Sequence, residues 1–122
     1  MPAPATRYAY NRTRQAYLAT DLVLADTHWS RLRGLMATEP ARFPQGRGLW
    51  IVPCRGVHTF GMRFAIDVVY LNTEQKVVYV QEHLKPWRMA AVKLQAASVL
   101  ELPGDTLGAS GTTIGDELEI VG

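Results

Sequence analysis

The alternation of apolar and polar residues along the chain is mostly that of short β-strands. Residues 15–25 alternate and end in Leu-Val-Leu, which predicts a first strand. The apolar residues 64–71 are followed, after Asn-Thr-Glu-Gln, by a second apolar segment at 76–81, and this pattern predicts a β-hairpin. Apolar segments bounded by glycine or proline predict three further strands, at residues 48–52, 97–102 and 117–121.

A single segment has the periodicity of a helix. We expect it to begin after an N-cap at Asp26 or Thr27 and to run to about Met36. Trp29, Leu32 and Met36 lie at helical spacing and give it one apolar stripe. Proline and glycine predict loops at residues 38–47, 54–62 and 85–94, and a turn with one helical turn inside residues 103–111.

About six short strands and one helix predict a single α+β domain dominated by β-strands. The expected architecture is a small barrel or a strongly curved, mostly antiparallel sheet, with the one main helix packed at one end. A length of 122 residues fits one domain. We expect residues 1–14 to be a flexible N-terminal arm and residues 15–122 to be the domain.

The composition is that of a soluble globular protein, with 48% hydrophobic and 20% charged residues. No apolar run approaches the roughly 20 residues that span a bilayer, so no membrane insertion is expected. The single cysteine, Cys54, excludes an internal disulfide and fits a reducing compartment. No apolar stretch typical of a signal peptide follows the first arginines, and the expected location is therefore the cytoplasm.

The net charge of +2 is smaller than that of a dedicated nucleic-acid-binding domain. Residues 7–14 nevertheless interleave three arginines with two tyrosines, a pattern that can stack on bases and contact phosphates. A solvated tail is the simpler interpretation of this arm, and nucleic acid is not the partner we expect.

Five sequence elements occur in the order and spacing of a known family. They are RGLM (33–36), GLW (48–50), VHTFGMRFAIDVVYL (57–71), VLELPG (99–104) and GD (115–116). Together they resemble the DUF192 (UPF0127) family, whose members are small and uncharacterised. The resemblance implies a compact β-rich fold and no particular reaction. Many members read Phe-Trp-Met-Lys-Asn-Thr where this chain has HTFGMR (58–63), so no role of that Trp or Asn is carried over.

Cys54, His58 and Met62 are soft metal ligands spaced four residues apart. On an extended strand each step of four spans about 13 Å, so only a tight turn could gather them at one ion. No metal or cofactor is predicted. Cys54 and His58 could also form a nucleophile–base pair, oriented by Asp67, although nothing in the sequence brings the three together.

Asp67 interrupts the strongest predicted strand, where a buried carboxylate needs partners. It either fastens the irregular segment 54–61 to the strand, or lies at the floor of a pocket walled by residues 58–62. Glu101 lies between Leu100 and Leu102, and alternation places it on the opposite face from both leucines. It could face solvent or bind the following glycine turn.

Trp87 stands between Lys85 and Arg88 in a predicted loop, either as a ligand or interface anchor or packed over a sheet edge. The common cofactor and hydrolase motifs, among them the P-loop, GxSxG, HExxH and paired CxxC, are absent from the sequence.

The function predicted from these features is a non-enzymatic binding or accessory module for a small molecule, peptide or protein. Its groove would lie between residues 58–62, residues 33–36 and the loop of Trp87. The predicted ligand-binding residues are His58, Phe60, Met62, Arg63, Asp67, Arg33 and Trp87. The alternatives are a small hydrolase that uses His58 and Asp67, and a nucleic-acid contact through the N-terminal arm; no catalytic residue is assigned.

Overall fold

The computed structural model of the chain describes residues 7–122. Eight β-strands and two short helices follow one another within them. The strands are β1 (Tyr8–Asn11), β2 (Ala16–Ala19), β3 (Asp21–Ala25), β4 (Arg47–Ile51), β5 (Ile66–Leu71), β6 (Val77–Leu84), β7 (Ser98–Pro103) and β8 (Leu118–Val121). The helices are α1 (His28–Arg33) and α2 (Thr106–Ser110), and a 3-10 turn spans Pro40–Arg42.

The strands form two open sheets. β2, β1 and β8 form an antiparallel sheet, and the other five strands pair in the order β3-β4-β7-β5-β6. In the larger sheet only β3 and β4 are parallel, and the connection between them contains α1. The predicted α+β class with mostly antiparallel strands is confirmed. The strands within residues 7–122 do not close into a barrel, because β3 and β6 end the larger sheet as separate edges.

The predicted hairpin is confirmed as β5 and β6, which pair antiparallel from Ile66↔Leu84 to Leu71↔Val77. Its turn is held by Asn72, whose side-chain oxygen accepts hydrogen bonds from the N–H groups of Glu74 and Lys76. Turn chemistry and strand pattern are both local, which is why the sequence predicts this element well.

Both faces of the five-stranded sheet are covered, and every residue of β5 and β7 is buried. One face packs against the smaller sheet and α2 and forms the inter-sheet core: Ala9, Leu18, Ala19, Leu22, Val69, Leu71, Val77, Leu100, Leu102, Leu107 and Leu118. The opposite face forms the outer core, with Leu35, Phe43, Ile51, Met62, Val68, Tyr70, Leu84, Ala90 and Val99. Because side chains alternate along a strand, neighbouring residues of β5 and β7 belong to different cores.

The single first strand predicted over residues 15–25 is wrong, because it is two strands in different sheets. β2 ends at Ala19 and β3 begins at Asp21, with Thr20 between them. The N–H groups of Thr20 and Asp21 both donate to the carbonyl of Gly46, which fixes the bend. The consecutive polar residues Thr20 and Asp21 interrupt the apolar segment, but they do not by themselves show that the chain passes from one sheet to the other.

The arm predicted over residues 1–14 differs from the structure where the chain is described. Tyr8–Asn11 is β1, the central strand of the smaller sheet, paired on both sides. Buried Asn11 donates to Asp116, which also accepts from Arg14, and these contacts hold the turn after β1 in place. The remaining part of the predicted arm, residues 1–6, lies outside the described residues.

The predicted helix is confirmed at its start and is shorter than expected. Thr27 is the N-cap, and its side chain accepts from the N–H of Ser30 while the Ser30 hydroxyl accepts from Thr27 N–H. The helix ends at Gly34, which has a φ of 49°. No residue of α1 is buried, and Trp29 and Leu32 of the predicted apolar stripe are exposed.

Replacing Gly48 with alanine should destabilise the fold by overpacking the inter-sheet core. An added Cβ would lie 2.9 Å from the Cβ of Ala19 and 3.2 Å from Cδ2 of Leu102. We expect a loss of about 1–3 kcal/mol in the free energy of unfolding, measured by urea titration. Gly108→Ala is the control, since its nearest neighbour would be 3.7 Å away and alanine favours a helix. Equal stability of the two variants would contradict the packing argument.

Candidate functional site

Two irregular segments and the end of α1 cover the outer core. The segments, residues 52–62 and 85–96, run side by side, and the N–H groups of Ala90 and Lys93 donate to the carbonyls of Val57 and Arg55. Buried Thr59 joins them, because its hydroxyl donates to the carbonyl of Lys85 and accepts from the N–H of Arg88. The two segments are therefore fastened together although neither is a helix or a strand.

A small cavity of about 50 Å³ lies between these segments and α1. It is lined by Arg31, Leu32, Arg33, Gly34, Leu35, Met36, Ile51, Cys54, Gly56, Val57, His58, Met62 and Glu101. The RGLM element (33–36) forms the wall of the cavity at the end of α1. Gly34 is required in this element, because the chain reverses there at a positive φ directly above the carboxyl group of Glu101. A Cβ at Gly34 would lie 3.7 Å from Oε1 of Glu101.

Glu101 is the most unusual group of the cavity. It is only 2% exposed, and its Oε1 has no hydrogen-bond partner within the described part of the chain. Burial raises the pKa of this carboxyl to about 8, so it holds its proton at neutral pH. Alternation does place it opposite Leu100 and Leu102, but it neither faces solvent nor binds the glycine turn, because the outer core and the segments cover that face.

Cys54 and His58 both line the cavity, but they are not arranged as a nucleophile and its base. The Cys54 thiol donates to the carbonyl of Gly56, and burial raises its pKa. Nδ1 of His58 accepts from the N–H of Phe60. A thiol that is kept protonated and directed at a backbone carbonyl is a poor nucleophile.

Aromatic rings continue from the cavity mouth across the surface. The His58 and Phe60 rings stack with centroids 5.0 Å apart, and the Phe60 and Trp87 rings stack at 6.2 Å. The predicted proximity of Trp87 to the 58–62 segment is therefore present. The Trp87 side chain is exposed, so it is not packed over a sheet edge.

Asp67 lies on the other side of the sheet from this cavity. It is fully buried, and its two oxygens accept from the N–H groups of His83 and Leu107. It thus fastens β6 and the start of α2 to β5, rather than the 54–61 segment, and it does not form a pocket floor beside His58. The His58–Asp67 pair of the hydrolase hypothesis is not formed, because strand alternation turns Asp67 toward the inter-sheet core.

Of the predicted ligand-binding residues, His58, Met62 and Arg33 line the cavity, while Phe60 and Trp87 adjoin it. Arg63 is exposed outside the lining. Glu101 is not among the predicted ligand-binding residues, although it has a signal in the sequence, because it is a lone acid in a strand that is otherwise apolar. Cys54, His58 and Met62 do meet at one cavity, yet residues 7–122 contain no group of three His, Cys, Asp or Glu side chains arranged to hold a metal.

No helix in the described residues is long and apolar enough to cross a membrane.

Comparison with solved structures identifies the same fold in two proteins. A protein of unknown function from Novosphingobium aromaticivorans aligns with a TM-score of 0.77 and 18% identity over 93% of this chain and 83% of its own. A protein from Sinorhizobium meliloti, named as a candidate transcription regulator, aligns with a TM-score of 0.78 and 19% identity over 98% and 97%. At these identities the likeness shows the fold alone.

Sequence comparison gives the family. A UPF0127 protein of Pyrococcus furiosus is 32% identical over 114 residues, which are 89% of this chain and 94% of the relative. A UPF0127 protein of Thermococcus sibiricus is 29% identical over 114 residues, 89% of this chain and 71% of the relative. The family model DUF192, described as an uncharacterized ACR, matches residues 9–120. The chain therefore belongs to the DUF192 (UPF0127) family.

Proposed function

We propose that the protein is a non-enzymatic binding module for a small apolar molecule that carries one hydroxyl or carboxylate group. The polar group would enter the cavity and bind Glu101, and the apolar part would lie at the mouth. The observation that supports this most directly is the Oε1 atom of Glu101, which is buried at the cavity without a partner among the described residues. A buried polar atom without a hydrogen bond costs about 1–3 kcal/mol, which a ligand can recover.

The charges around the cavity favour a neutral or anionic ligand. Glu101 is protonated at neutral pH and can donate a hydrogen bond to a hydroxyl or carboxylate oxygen. Arg31 and Arg33 also line the cavity, and they would repel an amine. Leu35 and Met62 supply apolar walls.

Two features support binding over hydrolysis. The Cys54 thiol is directed at the carbonyl of Gly56, and Asp67 is turned away from His58. The cavity of about 50 Å³ is large enough for a head group but not for a large substrate, so most of a ligand would remain at the surface.

The proposal is tested by following backbone amide NMR signals while hexanoate, hexanol or hexylamine is added. We expect hexanoate and hexanol to shift the signals of Gly34, Cys54 and Glu101, and hexylamine to bind more weakly. Glu101→Leu, which removes the polar group, should weaken binding of the two active probes by about tenfold, equivalent to about 1.4 kcal/mol. Glu101→Gln should retain most of the affinity, because an amide donates and accepts like the protonated acid.

Glu117→Gln is the matched control, since Glu117 is exposed and lies outside the cavity. Signal shifts elsewhere in the protein, or an unchanged affinity in Glu101→Leu, would rule out this site.

A further inference from the structure

The three segments around the cavity carry a concentration of positive charge. Residues 27–38 and the two irregular segments, extended here to 52–64 and 85–97, contain seven of the 13 lysines and arginines of the chain and none of its 11 acidic residues. The cations are Arg31, Arg33, Arg55, Arg63, Lys85, Arg88 and Lys93. Within the described residues, none of the seven forms a salt bridge. We call this surface the basic-apolar face.

The same segments hold most of the exposed large apolar side chains. Seven of ten such residues in the described chain belong to them: Trp29, Leu32, Phe60, Trp87, Met89, Val92 and Leu94. Trp29 is 71% exposed and Leu94 is 78% exposed. A cluster of exposed apolar groups on a folded protein marks a surface that binds a ligand, a protein or a membrane.

The segments form one continuous surface. Leu32 of α1 and Val57 line the same cavity, and the N–H of Trp87 donates to the carbonyl of Thr59. A Cβ at Gly56 would lie 3.1 Å from the side chain of Val92. The segments that carry the cations and the exposed apolar groups are therefore neighbours in the fold.

Cations and apolar residues alternate in two of the three segments. Arg-Leu-Arg occupies residues 31–33, Trp-Arg-Met residues 87–89, and Val-Lys-Leu residues 92–94. The centre of a protein interface is depleted of charged residues, whereas here a cation lies directly beside Leu32, Trp87, Met89, Val92 and Leu94 in the sequence. Nucleic acid would use the aromatic rings and the cations but offers little to Leu32, Met89, Val92 and Leu94. A bilayer surface with anionic lipids accepts aromatic, aliphatic and cationic side chains together. Aliphatic groups and tryptophan enter the interface, and cations remain at the headgroups.

We infer that the basic-apolar face binds to the surface of an anionic lipid bilayer. The contact is peripheral: short apolar side chains enter the headgroup region while the two sheets stay outside. It does not depend on the ligand proposed for the Glu101 cavity, because Trp29, Met89, Val92 and Leu94 do not line that cavity.

The test is co-sedimentation of the full chain with phosphatidylcholine vesicles that contain or lack phosphatidylglycerol. We expect binding that requires phosphatidylglycerol, weakens with added salt, and shifts the tryptophan fluorescence to the blue. Trp29→Ser with Leu94→Ser should reduce the partition coefficient by about tenfold or more. Arg55→Gln, Arg88→Gln and Lys93→Gln together should reduce it by about fivefold per cation.

The control variants carry matched changes away from the face. Ile114→Ser with Val121→Ser replaces exposed apolar groups, and Arg12→Gln with Lys76→Gln replaces exposed cations. Both should bind vesicles like the unmodified chain, and thermal unfolding confirms that all variants are folded. The inference is overturned by an absence of phosphatidylglycerol-dependent binding or by equal losses in the face and control variants. It is also overturned if single-stranded oligothymidylate binds the face and the vesicles do not compete with it.

Discussion

Glu101→Gln should abolish a large pH dependence of stability. In the unmodified protein, the free energy of unfolding should fall as the pH rises from about 4.5 to about 8. The pKa of Glu101 is raised by burial from 4.5 to about 8, so the folded state keeps a proton that the unfolded state releases over this interval. The stability that comes from the protonated carboxyl is complete below pH 4.5 and is lost as the pH rises through 8. At about 1.4 kcal/mol per pH unit, the loss is on the order of 4–5 kcal/mol.

The measurement is urea unfolding of both proteins across this range, with the difference between them taken at each pH. The difference isolates Glu101, since the other titrating groups are shared. Glutamine has nearly the same shape and no charge, so the variant should be comparable to the unmodified protein at pH 5 and more stable than it near pH 9. A difference that does not change with pH would show that the carboxyl is not buried as described.

Asp67→Ala should be among the most destabilising single changes in the chain, with a loss of about 3–5 kcal/mol in the free energy of unfolding. Asp67 is fully buried and accepts from two backbone N–H groups, those of His83 and Leu107, at 2.9 Å each. Alanine leaves both donors without a partner and opens a small void. Asp67→Asn keeps one acceptor oxygen, so about half of the loss is expected.

His83→Ala is the matched control for this change. It removes the exposed ion pair between the His83 ring and Asp105 but keeps the His83 N–H and its bond to Asp67. We expect a much smaller loss of stability, measured by the same urea titration. If Asp67→Ala and His83→Ala were equally stable, the two backbone hydrogen bonds could not be what holds β6 and α2 to β5.

Much of the fold could be predicted from local patterns in the sequence. The β5–β6 hairpin is specified by two apolar segments and by the side chain of Asn72 in the turn between them. The N-cap Thr27 and the helix-ending Gly34 act on backbone groups within a few residues. The bend at Thr20 was not accessible, because it depends on Gly46, whose carbonyl comes from a distant part of the chain.

Only part of the candidate site could be predicted from the sequence. His58, Met62 and Trp87 were identified because glycines, aromatics and cations gather in loops, and this concentration is a property of the sequence. The roles of Asp67 and Glu101 could not be assigned in this way. Both are acids in buried strands, and only the sheet order shows that they face opposite cores.

The family, the α+β class and the positions of most strands could be predicted from the sequence, because turn residues and apolar periodicity act over short distances. Only the packing of the two sheets shows which core Asp67 and Glu101 face and which apolar residues stay exposed. A sheet covered on both faces buries every residue of β5 and β7, so burial no longer follows alternation there. Trp29 shows the converse: its helical spacing predicts a packed stripe, yet none of residues 7–122 buries that side of α1, and the ring remains exposed.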